Sequence, residues 1–286
     1  MKRTYDFAFS CGYSCAVTEA LRESGLQFAS YPFDWMATPS FPVAARTVAG
    51  GFAHWMDRED LELVDIRRGG IMKHVYRNLR TGFGFVHDFS SFFTFDENFP
   101  KQREKYARRI ERFMAALGGA GRALAINVEW PILPRLSDAE LSETRAVFAA
   151  RFPKCEFDLV YFYEDESAKV PRLVSSAGGV AVYAADYRTF VDGEVNHVAD
   201  NRFLVEWLRE NVEVVDPRSE EEKAKYAKAW EKQDRERWKG GNWWQTMVNR
   251  TKFRQYRRLE KFLVGRGLLP RERPLWFAPC REEAGK

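Results

Sequence analysis

Histidine and cysteine are scarce in this chain, four of each among 286 residues. The cysteines are Cys11, Cys15, Cys155 and Cys280, and only the first two are close together. That C-x3-C step has no second pair to complete a zinc site, and a chain of this size has no need of the disulfide framework that staples small secreted domains. Phosphate-cradling glycine loops and dinucleotide fingerprints are also missing, so no cofactor and no metal is expected. No run approaches the roughly 18 consecutive apolar residues of a membrane span. Residues Met1 to Phe7 lead straight into a strand-like run, without the apolar stretch and cleavage site of a signal peptide. A soluble, cytoplasmic protein is the expectation.

What the chain has is aromatic mass: 23 Phe, 11 Tyr and 9 Trp, within a composition that is 45% apolar and 30% charged. That is enough to fill an interior, and the formal net charge of +4 points to no particular partner. The alternation in Tyr5 to Ser10 predicts a half-buried strand, broken at Gly12 before a helical run from Cys15 to Arg22, with Ser14 as its N-cap and Gly25 as its stop. Phe83 to Phe99 reads as a strand and loop around His87 and Asp88, followed by a helix over 101–117. Strands are expected at 123–128, 157–163 and 180–183. Helices are expected at 138–152, capped by Ser137 with Glu140 completing a capping box, and at 200–210. This alternation predicts an α/β fold, a mixed sheet flanked by helices, over residues 1–216.

Beyond Asp216-Pro217 the composition changes, and residues 217–286 read as a basic, aromatic-rich helical extension. Between Arg235 and Arg273 there are 12 basic residues against three acidic ones, a local charge of +9, interleaved with Trp238, Trp243, Trp244, Phe253, Tyr256 and Phe262. Such a stretch suits stacking on nucleic-acid bases, sugar rings or an anionic surface. The favoured reading is an amphipathic helix whose aromatics pack on the main domain, because no nucleic-acid-binding motif accompanies it.

Three stretches carry a family likeness: Phe9-Ser10-Cys11-Gly12-Tyr13-Ser14-Cys15, then Leu21-Arg22 with Gly25-Leu26, then Ser30-Tyr31-Pro32-Phe33-Asp34-Trp35. Together with His87-Asp88-Phe89 they resemble the DUF1796 family, whose label is papain-like cysteine peptidase. The likeness is concentrated between Tyr5 and about Phe162 and covers the last third weakly. In the family the residue after the first serine is usually leucine, where this chain has Cys11. The resemblance therefore implies that Cys15, the shared cysteine, is the reactive one, in a papain-like thiol site acting on a peptide or other acyl group.

Physical reasoning points to the same residue without settling the matter. A thiol in the first turn of a helix meets free backbone N–H groups and the positive end of the dipole, which favour its thiolate. The amides from Gly12 through Ser14 to Cys15 could hold an oxyanion. A small cysteine also serves simply to pack a helix, and the residues alone leave both uses open. The base must come from His54, His74, His87 or His197. His54 reads as a helical residue near the core and His74 as an ordinary strand or loop residue. His87, after the apolar run 83–86, is preferred. Asn127, Asp88 and Asp34 are candidates to orient the imidazole, though Asp88 does so only if its segment is a loop, since neighbours on a strand face opposite ways. Asp34 reads more naturally as a residue that ties down its own turn.

An SGNH-like esterase or glycan-modifying enzyme is the alternative. There Ser10 or Ser14, just after the first strand, would work with Asp192 and His197, and the α/β order suits that analogy better than a papain-like fold. A third reading makes the cysteine and histidine structural and assigns binding of a glycan, nucleic acid or protein to the tail.

Overall fold

The computed structural model describes residues 2–12, 15–67, 73–90, 93–131, 133–191, 194–196, 201–225 and 228. The N-terminal run is interrupted at Asp6, whose carboxylate accepts the Gly121 and Arg122 amides, and forms two strands, β1 (Arg3–Tyr5) and β2 (Phe7–Ser10). All four residues of β2 are buried, the signature of a strand covered on both faces rather than the half-buried one expected. Helix α1 (Cys15–Glu23) follows. It ends on Gly25 at φ +73°, with the Gly25 amide donating to Arg22 and the Leu26 amide to Leu21, a Schellman stop that requires the left-handed residue glycine supplies.

An inserted region comes next: β3 (Met36–Ala37), α2 (Phe41–Ala49), β4 (Leu61–Arg67), β5 (Lys73–Asn78) and β6 (Gly84–Ser90). Its strands form an antiparallel sheet in the order β3-β6-β5-β4. Helix α3 (Phe95–Gly119) starts six residues before the expected Lys101. Thr94 and Glu97 make a capping box that pins the start, and Pro100, lying near that end, did not break the helix as proline usually does. His54 is not helical: it lies in the turns after α2 with φ +60° and is exposed.

The chain then alternates through β7 (Arg122–Val128), α4 (Asp138–Arg151), β8 (Glu156–Glu164), β9 (Arg172–Ala177) and β10 (Val180–Ala185). A two-stranded ribbon, β11 (Thr189–Val191) and β12 (Glu194–Asn196), precedes α5 (Arg202–Asn211) and β13 (Val212–Val214), which pairs in parallel with β1. The five-stranded sheet runs β2-β7-β8-β10-β9. Its first four strands are parallel and β9 is antiparallel. One face is covered by α1 and α5 through Ala16, Val17, Leu21, Leu204 and Leu208. The other is covered by side chains of α2, α3 and α4, among them Phe41, Phe113 and Phe148. The result is a mixed α/β protein with helices on both faces of the sheet. No helix among the described residues is long and apolar enough to cross a membrane. Of the extension, residues 220–225 are helical; Ser14, Asp192, His197, Cys280 and the basic tail from Arg235 onward lie outside the described residues.

Candidate functional site

Parallel strands all end on one edge of their sheet, and ligands of open α/β sheets bind there. In this chain that edge holds Ser10, Val128, Glu164 and Ala185 as strand ends. Just past β2, the Ser10 hydroxyl is buried and accepts the Gly12 amide at 3.3 Å. Gly12 lies against α1: a Cβ there would stand 2.6 Å from Val17 Cγ2. Cys11 is fully buried, and burial pushes its thiol well above the usual cysteine range. It is therefore held as the neutral thiol, poor as a nucleophile.

Cys15 differs in its setting. It opens α1, whose first turn carries no acidic side chain, and it is partly exposed. Ala16, Val17, Ala20 and Leu21 take the buried side of the helix, which leaves Cys15, Glu19 and Arg22, at i, i+4 and i+7, on a partly exposed stripe.

The segment 31–35 is fastened to the same helix. The buried Asp34 carboxylate accepts the Tyr31 amide at 2.8 Å, Thr18 Oγ1 of α1 at 3.2 Å and Gln27 Nε2. Burial raises this carboxyl to about 6 in spite of those donors and the Arg109 charge. Phe33 enters an aromatic core with Phe52, Trp55, Phe83 and Phe113. Trp35 turns the other way. It sits at φ +68°, with the Arg22 guanidinium 5.3 Å from its ring centroid and the His87 ring 6.2 Å away at 87°.

His87 itself is exposed on β6, whereas its neighbour Asp88 is buried. Asp88 is bound to Lys105 Nζ and accepts Tyr106 Oη at 2.9 Å, both from α3. Burial alone would raise this carboxyl, but Lys105, Arg109 and Tyr106 together hold it below the ordinary aspartate value. Its two oxygens are thus engaged with α3, away from the His87 side.

Asn127 and Glu129 follow one another on one face at the end of β7. Asn127 is 2% exposed, and its Nδ2 has no hydrogen-bond partner among the described residues. Glu129 is 3% exposed. One oxygen accepts the Trp130 amide at 3.0 Å and the other Tyr161 Oη at 3.2 Å. Burial dominates and raises Glu129 to about 7; burial, with the Glu129 charge second, likewise raises the Tyr161 phenol. Glu129 was not singled out from the sequence, and Arg22 and Trp35 entered there only as parts of the family likeness, without a role at the site. For Glu129 a signal existed, an acid directly after a strand expected to lie in the middle of a parallel sheet.

Among the described residues one cluster has donor atoms close enough to share a metal, His54, Asp57 and Asp60. Arg80 reaches into it, 3.2 Å from His54 Nε2 and 3.3 Å from Asp60. The cluster is therefore already balanced by a guanidinium.

Comparison with curated proteins and with solved structures finds no match. The family comparison does: residues 6–125, a span that runs from the bend before β2 into β7 and includes Cys15, Trp35 and His87, match the family described as "Putative papain-like cysteine peptidase (DUF1796)".

Proposed function

We propose that the protein is a thiol hydrolase or acyl transferase of the papain-like cysteine peptidase kind, with Cys15 as nucleophile and His87 as base. In this reading His87 takes the Cys15 proton, and the sulfur adds to the carbonyl carbon of a peptide or other acyl substrate. Amides between Gly12 and Cys15 hold the oxyanion. As the carbon–nitrogen or carbon–oxygen bond breaks, the imidazolium returns the proton to the leaving group. The thioester then passes to water, or to an acceptor amine or alcohol. Asn127 is the preferred orienting group, because Asp88 is committed to Lys105 and Tyr106.

One observation carries the reading. Cys15 begins the partly exposed stripe of α1, and that stripe meets Trp35 at Arg22, the same ring that meets His87. The test is the pH dependence of iodoacetamide alkylation of Cys15, with Cys11, Cys155 and Cys280 changed to Ser, in the presence and absence of His87→Ala. Fast reaction near neutral pH that slows roughly tenfold or more without His87 supports the pair. An ordinary thiol profile in both proteins overturns it.

The parallel sheet, with Ser10 at the end of β2, favours a second reading, an SGNH-like esterase or glycan-modifying enzyme using Ser10, Asp192 and His197. Labelling of Ser10 by a fluorophosphonate, abolished by His197→Ala, would select it. In either case we take residues 1–216 as the domain that carries the chemistry and 217–286 as a basic, aromatic-rich helical extension whose aromatics pack on it, with a cytoplasmic location.

A further inference from the structure

Three described residues other than glycine adopt a left-handed backbone: Trp35, Phe52 and His54. For a bulky side chain this conformation costs on the order of 1–2 kcal/mol relative to glycine, so each has to be justified by what its side chain does. Phe52 has an answer in the core, where its ring meets Phe33, Trp55 and Phe113. His54 has one in Asp57, 2.6 Å from its Nδ1. Trp35 is partly exposed, and its ring contacts include a cation from α1 and an imidazole from β6.

The backbone on both sides of Trp35 is fixed independently of its ring. Asp34 is tied to Tyr31, Thr18 and Gln27. Met36 is buried, pairs with Phe85 of β6 and has its Sδ 3.0 Å from Tyr106 Oη. A glycine between two such anchors would make the turn without strain, so the indole is retained for its contacts. Those contacts are directional: at 87° between ring planes, indole and imidazole are edge to face, an arrangement that holds one ring's orientation against the other.

The geometry points to Trp35 as a positioning residue that fixes the His87 imidazole relative to the Arg22 end of the α1 stripe. This inference rests on the proposed role of His87 for its functional meaning, and on the ring geometry alone for its structural claim. Two measurements separate these. The first is the set of ring-proton chemical shifts of His87 in protein labelled at histidine, compared among wild type, Trp35→Gly and Trp35→Phe. Trp35→Gly is chosen because it relieves the backbone, so loss of the ring is not confused with failure to fold. The His87 shifts are expected to move in Trp35→Gly and to stay near the wild-type values in Trp35→Phe.

The second is the Cys15 alkylation rate in the same three proteins. It is expected to fall up to about tenfold in Trp35→Gly, the factor that accompanies loss of an edge-to-face pair, and to recover in Trp35→Phe. Unchanged His87 shifts in Trp35→Gly overturn the inference whatever the alkylation does. Shifts that move while His87→Ala leaves alkylation unaltered support Trp35 as the residue that positions His87 and remove His87 from the thiol chemistry instead.

Discussion

The Glu129→Gln substitution should make the protein more stable in mild alkali and leave it little changed in mild acid. Glu129 is 3% exposed, its charge faces only the Trp130 amide and the Tyr161 hydroxyl among its hydrogen bonds, and burial raises its pKa from 4.5 to about 7. A carboxyl that binds its proton more tightly folded than unfolded contributes stability that is fully present below pH 4.5 and is lost as the pH rises through 7. Between pH 5 and pH 8 the loss from this group is about 2 to 3 kcal/mol, since each tenfold change in proton affinity is worth about 1.4 kcal/mol. Glutamine keeps an acceptor for the Trp130 amide and removes the titration. Asp34, raised to about 6 by burial, acts in the same direction between about pH 4 and 6 in both proteins and cancels in the comparison. Urea denaturation at pH 5 and pH 8 is the assay. For a slope of 1–3 kcal/mol per M, the midpoint of the variant should exceed that of the wild type by about 1 M more at pH 8 than at pH 5. A difference between the two proteins that does not change with pH would refute the reasoning, because it would mean that Glu129 titrates as an ordinary carboxylate.

Two further outcomes are expected. Gly12→Ala places a methyl 2.6 Å from Val17 Cγ2, at a residue that is 1% exposed and cannot yield. The fold should lose about 1–3 kcal/mol, read as a lower thermal midpoint, and Cys15 alkylation should slow as the start of α1 is displaced. Asn127→Leu removes a buried amide nitrogen that has no partner among the described residues, so the thermal midpoint should hold or rise, while alkylation of Cys15 should lose its dependence on His87 if Asn127 orients that ring.

The parts of the fold that were legible depend on neighbours in sequence. Ser137 and Glu140 close a capping box three residues apart, and Gly25 ends α1 where a left-handed residue was wanted. The same grammar was present at Thr94 and Glu97, but Pro100 obscured it, because a proline six residues into a helix normally argues against one. What could not be read is what depends on register. Asp88 meets Lys105 and Tyr106 only because β6 lies on α3. Arg22, Trp35 and His87 come from three elements that no spacing rule connects. Glu129 acquires its raised pKa from a strand end covered on every side.

The two N-terminal cysteines make the same point about chemistry. Four residues apart, they are equivalent as composition, and apart from the family likeness, which shares Cys15 alone, the helix start between them was the cue that told them apart. Cys11 still follows the pleat of β2: its amide bonds to Ile126 of β7, and its side chain enters the sheet face that holds Phe9 and Ala125, where burial raises the thiol and silences it. Cys15 follows the 3.6-residue period of α1, which takes Ala16, Val17 and Ala20 inward and carries Cys15 to the partly exposed side. The change from a period of two to one of 3.6 within four residues therefore gives one thiol to the core and the other to the helix N-terminus. That change of period, more than the presence of cysteine, is what makes Cys15 the thiol to test.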